Sequence, residues 1–355
     1  MGITLVTGGS GFIGGHLVAA LAARGERVRI LDLQDPPGGL PPDVEVQHGS
    51  ILDAAAVARA LEGVERVHHL AAVATLWDRD PTVFDRVNRQ GTRVVLDAAA
   101  RAPALRRFVH CSTEAVMIGH PPPRRLDERA DPGLDALAGP YCRSKYLAEK
   151  DALAAAAQGL PVVVVNPTAP IGPGDRLPTP PNAMLRLFRR GGPRLILDCV
   201  LNLVDVRDVA QGMILAAERG RIGERYILGG MDIGLGDLAE RIDRLCGRVP
   251  LLRHSVPPAL ALAAARVEEW LSDHVTRRPP TAPVTGVRLA LGGGGFDSGK
   301  AVRELGYTVR PLEGSMREEQ GERASTHLSV ITIGCGHRSI SGRTRWEGER
   351  VKKNG

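Results

Sequence analysis

The stretch Thr7-Gly8-Gly9-Ser10-Gly11-Phe12-Ile13-Gly14 sets Gly8, Gly11 and Gly14 in a GxxGxxG spacing. It follows the apolar run Ile3–Thr7 and leads into Ile13, Leu17 and Leu21, which recur at helical spacing. Three demands meet at such a junction: a tight turn, close approach of the backbone to a pyrophosphate, and close packing of helix on strand. The helix N-terminus then offers unpaired N–H groups and the positive end of its dipole to the phosphates. Residues 27–31 read as the next strand, which ends at Asp32, 18 residues after Gly14, where an acid meets the hydroxyls of an adenosine ribose. The junction therefore reads as a dinucleotide site. A carboxylate there accepts from ribose hydroxyls and repels a 2′-phosphate, so NAD is expected over NADP.

The alternation of strand and helix continues to about residue 166. Residues 44–47, 66–70, 108–111 and 162–165 are short apolar runs with little alternation, as in a parallel sheet covered on both faces. Gly25 stops the first helix, Asp53 caps a short one, and Pro81 opens one that runs to about Arg101. Beyond Pro167, prolines cluster over 170–181. Helical stretches follow at about 183–190 and 206–219, and Arg225–Leu228 is a further strand candidate. The expected fold class is α/β: a doubly wound parallel sheet (Rossmann) as dinucleotide-binding domain over 1–166. A smaller C-terminal substrate-binding region, 167–320, is partly interleaved with it. Residues 321–355 show no sustained period and read as a disordered basic tail, with 330–333 as a stray strand.

Composition excludes several function classes. The formal charge is +6, but residues 321–355 hold seven basic against three acidic residues, so the remainder is close to neutral. With aromatics at 3%, neither a basic nor a base-stacking nucleic-acid surface is expected on the body. No apolar stretch approaches the ~18 residues that span a bilayer. Cys111, Cys142, Cys199, Cys246 and Cys335 are odd in number and widely spaced, without CxxC pairs, so neither a disulfide frame nor a metal site is expected. The chain enters a strand pattern at once, with no signal-peptide texture, and Val6 stands where N-myristoylation needs Ser or Thr. A cytoplasmic protein acting on a small molecule is expected.

Tyr141-Cys142-Arg143-Ser144-Lys145 places a phenol and an ammonium at i and i+4, on one helix face. A phenol ordinarily titrates near ~10. A neighbouring ammonium favours the phenolate and brings the group towards acid/base range. Tyr146-Leu-Ala-Glu-Lys150 has the same spacing. Five residues turn a helix by about 500°, so the two tyrosines lie roughly 140° apart and cannot both face one site. Spacing alone leaves the choice open. A second hydroxyl must hold the substrate oxygen, and Ser112-Thr113 follows a strand at its carboxyl end, where α/β sites form.

Taken together, TGGSGFIG (7–14), HLAAVA (69–74), VNRQGT (87–92), CSTEAV (111–116), YCRSKYLAEK (141–150), VNPTAPIGPGD (165–175) and LVDVRDVAQG (203–212) resemble the extended short-chain dehydrogenases/reductases. The NAD-dependent epimerase/dehydratase family belongs to that group. The likeness covers about residues 2–316. It is greatest to the hopanoid-associated epimerase and dihydroflavonol-reductase-like group, through AAVATLWDRDP (71–81), LPTPPNAM (177–184), GRIGERYILGG (220–230) and FDSGKAVRELGY (296–307). The family pattern Tyr-x-x-Ser-Lys-x-x-x-Glu fits Tyr141, Ser144, Lys145 and Glu149. The resemblance thus implies Tyr141 as acid/base, Lys145 as its pKa-lowering partner and ribose ligand, and Thr113, with Ser112 as understudy, as the group that polarises the carbonyl.

It further implies Phe12, Ile13, Ile51, Ala71, Ala72 and Asn88 as cofactor contacts, and a homodimer; Asn88 equally reads as a polar helix residue that satisfies a backbone group, and Asn166, just before Pro167 at a strand end, as a residue lining a pocket. Three departures qualify it. Asp32 stands where relatives often carry a non-acid. Gly49-Ser50 replaces the family's Gly-Asp. Cys199-Val200-Leu201-Asn202 stands where nucleotide-sugar epimerases place a diphosphate-binding Arg, which tilts the expectation towards a less charged substrate.

The function expected is NAD-dependent hydride transfer at a secondary alcohol or carbonyl of an apolar cyclic substrate. The alternatives are a sugar epimerase that retains NAD and a non-catalytic dinucleotide-binding protein. His68 and His69 read as structural, Cys111 and Cys142 as inert buried thiols, Trp77 and Trp270 as core by default or as contacts for an apolar substrate, and Asp205 and Asp208 as helix-capping or positioning groups.

Overall fold

The computed structural model describes residues 2–36, 44–119, 125–176 and 179–317; the tail expected at 321–355, with its strand at 330–333, lies outside them. Seven strands build the main sheet: β1 (Ile3–Thr7), β2 (Arg27–Asp32), β3 (Val44–His48), β4 (Val64–His69), β5 (Arg107–Cys111), β7 (Val162–Pro167) and β11 (Arg225–Leu228). Their spatial order is β11-β7-β5-β4-β1-β2-β3, and every pairing is parallel. The order reverses between β1 and β4. Strands that leave a common edge in opposite directions open a crevice at their carboxyl ends, and ligands of doubly wound sheets bind there.

Helices cover both faces, which is why these strands are apolar throughout: all six residues of β7 are buried. On one face α1 (Phe12–Ala23) and α7 (Val206–Arg219) pack Leu17, Leu21, Met213 and Ile214 against Val6, Ile30 and Val163. On the other, α2 (Ala54–Ala60), α4 (Thr92–Ala99) and α5 (Pro140–Ala157) pack Val57, Val95, Leu96 and Ala152 against Leu5, Val67 and Val164. The helix expected from Pro81 to Arg101 is divided. A short α3 (Thr82–Phe84) passes into a π-helical turn over Asp85–Gly91 before α4 begins. The fourth strand starts and ends earlier than the 66–70 run suggested.

After β7 the chain builds a second, smaller sheet. β8 (Ala169–Ile171) pairs in parallel with β10 (Val200–Asp205), and β12 (Met231–Gly234) pairs with β10 antiparallel. α6 (Pro180–Arg189) and α8 (Leu235–Leu245) close a core of Ile171, Leu185, Phe188, Leu203, Leu238, Leu312 and Met316. Short pairings complete the fold: β6 (Arg125–Leu126) with β14 (Gly295–Phe296), and β9 (Leu195–Ile196) with β13 (His254–Ser255). α9 (Pro258–Leu271) packs on α10 (Val284–Gly292), and α11 (Gly299–Leu305) lies on α7. Among the described residues no helix is long and apolar enough to cross a membrane.

Candidate active site

A cleft of about 1290 Å³ opens at the carboxyl ends of the strands. One half begins at the glycine loop. Gly8 has φ +72°, and a Cβ there would stand 2.7 Å from the Ala71 amide nitrogen; at Gly14 it would stand 2.1 Å from the Gly8 carbonyl oxygen. Only glycine allows this turn and this helix–strand contact. No side chain caps α1 at Gly11, so its first-turn N–H groups stand open where Gly11, Phe12, Ile13 and Gly14 line the cleft. Asp32 also lines it. Its carboxylate accepts from the amides of Ser10 (3.0 Å) and Leu33 (2.7 Å), which aims it beside the loop. Ile51, Ala71 and Ala72 complete this wall. An uncapped helix end facing a glycine cradle, with a fixed acid at the next strand's tip, fits the phosphates and ribose of a dinucleotide.

Asn88 lies behind the wall rather than on it. It sits on the π-helical turn, buried; its Oδ1 accepts from the Val73 amide (2.7 Å), and its Nδ2 donates to the Val73 carbonyl (3.1 Å) and to Ser144 Oγ (3.0 Å). The Ser144 hydroxyl in turn donates to the Tyr141 carbonyl at 2.8 Å. His69 extends the same network. The Thr92 hydroxyl donates to the Asn88 carbonyl, so His69 Nε2–H donates to Thr92 (2.9 Å) and Nδ1 accepts from Thr7 (2.7 Å). Burial, aided by the charge of Lys145, brings the His69 pKa down to about 3 and keeps the ring neutral. One buried network thus joins the glycine strand, the 71–73 wall and the start of α5.

At the junction of the two halves stand Ser112, Thr113 and Tyr141, all lining the cleft. Tyr141 packs edge-on to Phe84, with the Thr113 side chain close enough to act on its phenol. Burial pushes the phenol above its ordinary range, and Thr113 opposes that shift. The direction is opposite to the lowering expected from Lys145. Burial of the phenol sets that direction, and the buried Lys145 ammonium donates instead to the Cys111 carbonyl at 2.7 Å. Desolvation there lowers the Lys145 pKa, against the pull of Cys111 and Glu149.

The second Tyr-x-x-x-Lys pair points elsewhere. Tyr146 Oη and Lys150 Nζ both donate to Asp131, at 2.8 and 2.6 Å. Asn166 is a fastener behind the wall, donating to Glu149 (2.7 Å) and to the Thr113 carbonyl (3.1 Å). Burial pushes the Cys111 thiol up to about 11 and the Cys142 thiol up to about 12, so neither is a ready nucleophile.

The far half of the cleft is apolar. Leu76, Met184, Leu197, Leu201, Val287 and Leu289 line it, and Arg176 is the one cation among the described lining residues. Sequence reasoning missed Arg176, Glu114 and the α10 side chains, because nothing in local spacing brings residues 76, 176 and 287 together. Trp270, expected in the core, is 56% exposed on α9 and stacks on His274. Trp77 is not among the lining residues. Among the described residues no group of three or more His, Cys, Asp or Glu is placed to hold a metal.

Residues 4–229 match the NAD dependent epimerase/dehydratase family. The chain belongs to that family. It is 38% identical over 322 residues to a Synechocystis sp. protein provisionally named dihydroflavonol 4-reductase, covering 88% of this chain and 92% of that one. Sterol demethylase protein B of Methylococcus capsulatus is 35% identical over 311 residues, covering 85% of this chain and 92% of that protein. The crystal structure of gox2253 superposes with a TM-score of 0.78 at 33% identity, covering 91% of this chain and 98% of that one. This family member is accordingly an enzyme of the extended short-chain dehydrogenase/reductase type, with an NAD-dependent oxidoreductase, epimerase or dehydratase activity. The family also accounts for the doubly wound sheet and for the glycine cradle at its switch point.

Proposed function

We propose that this enzyme transfers a hydride between NAD(H) and a secondary alcohol or ketone on an apolar, cyclic small molecule. The observation that carries the reading is the contrast within one cleft: a glycine cradle with Asp32 on one side, an apolar chamber on the other, and Tyr141 with Thr113 between them. The relationship to a protein named for sterol demethylation supports an apolar ring system. Gly8, Gly11, Gly14 and the first turn of α1 would hold the pyrophosphate. Asp32 would accept from the ribose hydroxyls and disfavour a 2′-phosphate, hence NAD over NADP. Lys145 would hold the nicotinamide ribose. The nicotinamide supplies the hydride acceptor or donor.

The chain's own residues manage the proton. Thr113 orients the substrate oxygen and Tyr141 Oη gives or takes its proton. Tyr141 is protonated at neutral pH, as an ordinary phenol is and more so with burial, and stands there as a donor to a carbonyl. Reduction should therefore be flat up to neutrality, whereas alcohol oxidation, which needs the phenolate, should climb as pH rises; rates measured in both directions from pH 6 to 10 check this. The deciding experiment follows NADH absorbance with a panel of cyclic ketones. Tyr141→Phe should lower kcat by at least about 10²-fold and leave NADH binding intact; unchanged turnover would sink the mechanism. Tighter binding of NADPH than of NADH would refute the role given to Asp32.

A second reading, a sugar epimerase that retains NAD, rests on Arg176, a cation placed to meet a diphosphate. It requires turnover of a UDP- or dTDP-sugar without NADH release, and a raised KM in Arg176→Ala.

A further inference from the structure

Three buried polar atoms of residues that line the cleft have no hydrogen-bond partner: Ser112 Oγ, Glu114 Oε2 and Thr168 Oγ1. Ser112 and Thr168 are 5% and 3% exposed. Ser112 and Glu114 flank Thr113 in the chain, and the Ser112 amide donates to the Val165 carbonyl, which sets the end of β5 beside the end of β7, from which Thr168 follows. Native interiors leave few polar groups unpaired, since each costs about 1–3 kcal/mol. A carboxyl costs more than a hydroxyl, and Glu114 has neither Lys, Arg nor His bonded to it among the described residues. It is also close enough to Tyr141 that, when ionised, it would act on the phenol. Burial raises the Glu114 pKa well above the usual carboxylate range, which favours the carboxyl form with one O–H to donate and oxygens to accept. The catalytic assignment made above uses Thr113 and Tyr141 for the reacting oxygen and leaves these three atoms idle.

We propose that Glu114, with Ser112 and Thr168, forms a second polar subsite that binds a substrate oxygen other than the reacting one. The proposal rests on the oxidoreductase reading and sharpens it. The substrate class becomes a hydroxy-ketone or diketone on an apolar ring frame, its second oxygen close to the reacting carbon. A ketone with no second oxygen leaves the three atoms unpaired or bonded to water that it must then displace. Glu114 is here a specificity-determining residue that contacts the substrate.

The test compares NADH-linked reduction of cyclohexanone and 2-hydroxycyclohexanone by the full chain, Glu114→Gln and Glu114→Leu. The expected result is a fall of about tenfold, with Glu114→Leu, in the ratio of kcat/KM for 2-hydroxycyclohexanone to that for cyclohexanone, and a smaller fall in that ratio with Glu114→Gln. Equal losses on both ketones, or none on either, overturn the proposal. Should the parent reduce neither ketone, infrared difference spectra decide. The protonated-carboxyl band that Glu114→Gln removes should shift when 2-hydroxycyclohexanone is added and stay in place with cyclohexanone; no shift overturns the proposal. Tyr141→Phe separates the two readings, because persistence of turnover in that variant removes the mechanism without touching the infrared result.

Discussion

Glu114 carries a cost that is measurable without any substrate. Its folded-state pKa lies above the unfolded value, so the unfolded chain releases the proton first as pH rises. The penalty is absent below about pH 4.5 and grows from there upwards. Glu114→Gln removes the ionisation and keeps the shape, so its Tm advantage over the parent should widen between pH 5 and pH 8. A difference that is flat with pH would contradict the burial argument. Such a gain in stability on losing a functional group is the usual mark of a binding site held at a structural cost. Asn88 shows the reverse case. Both backbone groups of Val73 depend on its amide, so Asn88→Ala should destabilise the enzyme by about 2–3 kcal/mol and loosen NADH binding through the 71–73 wall. Urea unfolding and NADH fluorescence titration read the two effects.

At the scale of elements, β4 and β5 are unusual among the strands in carrying three buried imidazoles: His68, His69 and His110. Desolvation comes first among the causes that depress all three, with Arg66 adding to it at His68 and Lys145 at His69 and His110; His68 and His69 fall to about 3. A base whose folded pKa is depressed binds its proton more readily when unfolded. Stability is therefore complete above the unfolded value of 6.5 and drains as pH falls from 6.5 towards 3. Acid unfolding should begin near pH 6, earlier than carboxylates alone would set it. His110 has both ring nitrogens unpartnered, so His110→Phe should flatten that acid limb; an unchanged limb in scanning calorimetry would count against it. The π-helical turn belongs to this scale too. The helix read from Pro81 to about Arg101 widens to i→i+5 winding at 85–91, and on that turn Asn88 meets Val73 and Ser144.

For the whole molecule, the joint between the two sheets rests on the start of α7. Asp205 ends β10 and caps α7 by accepting from the Arg207 amide at 2.7 Å; it also bonds the Arg207 guanidinium and the Ser315 hydroxyl. Burial would raise its pKa, but the bonds from Arg207 and Ser315 outweigh it and the net shift is downward. Asp208, one turn on, holds the Arg310 amide and guanidinium. Residues 307–316 are thereby strapped over the smaller core, where Leu312 and Met316 are buried. Asp205→Ala should cost about 2–3 kcal/mol, because it uncaps a helix and removes the partner of the buried Ser315 hydroxyl. Loss of less than 1 kcal/mol in urea unfolding would show that the strap is held elsewhere.

Much of this enzyme was legible in its residues one stretch at a time. The glycine loop, the acid at the tip of the second strand and the apolar runs are local signals, each produced by backbone sterics or by the 2.0 and 3.6 periodicities, and together they determine the doubly wound sheet. The pair Tyr141/Lys145 was legible only with a family pattern beside it, since Tyr146/Lys150 has the same spacing. Geometry separates them through Asp131, a residue distant in sequence. What tertiary structure alone decided is everything that depends on partners far along the chain. It chose, of the two readings of Asn88, the one that fastens a backbone group, made Asn166 a fastener and placed Lys145 on the Cys111 carbonyl. It raised the pKa of Tyr141 by burial, gathered residues 76, 176, 184 and 287 into one chamber, and left Glu114 without a partner. Burial and pairing are properties of three-dimensional neighbourhoods, and no window of sequence contains the neighbours that set them.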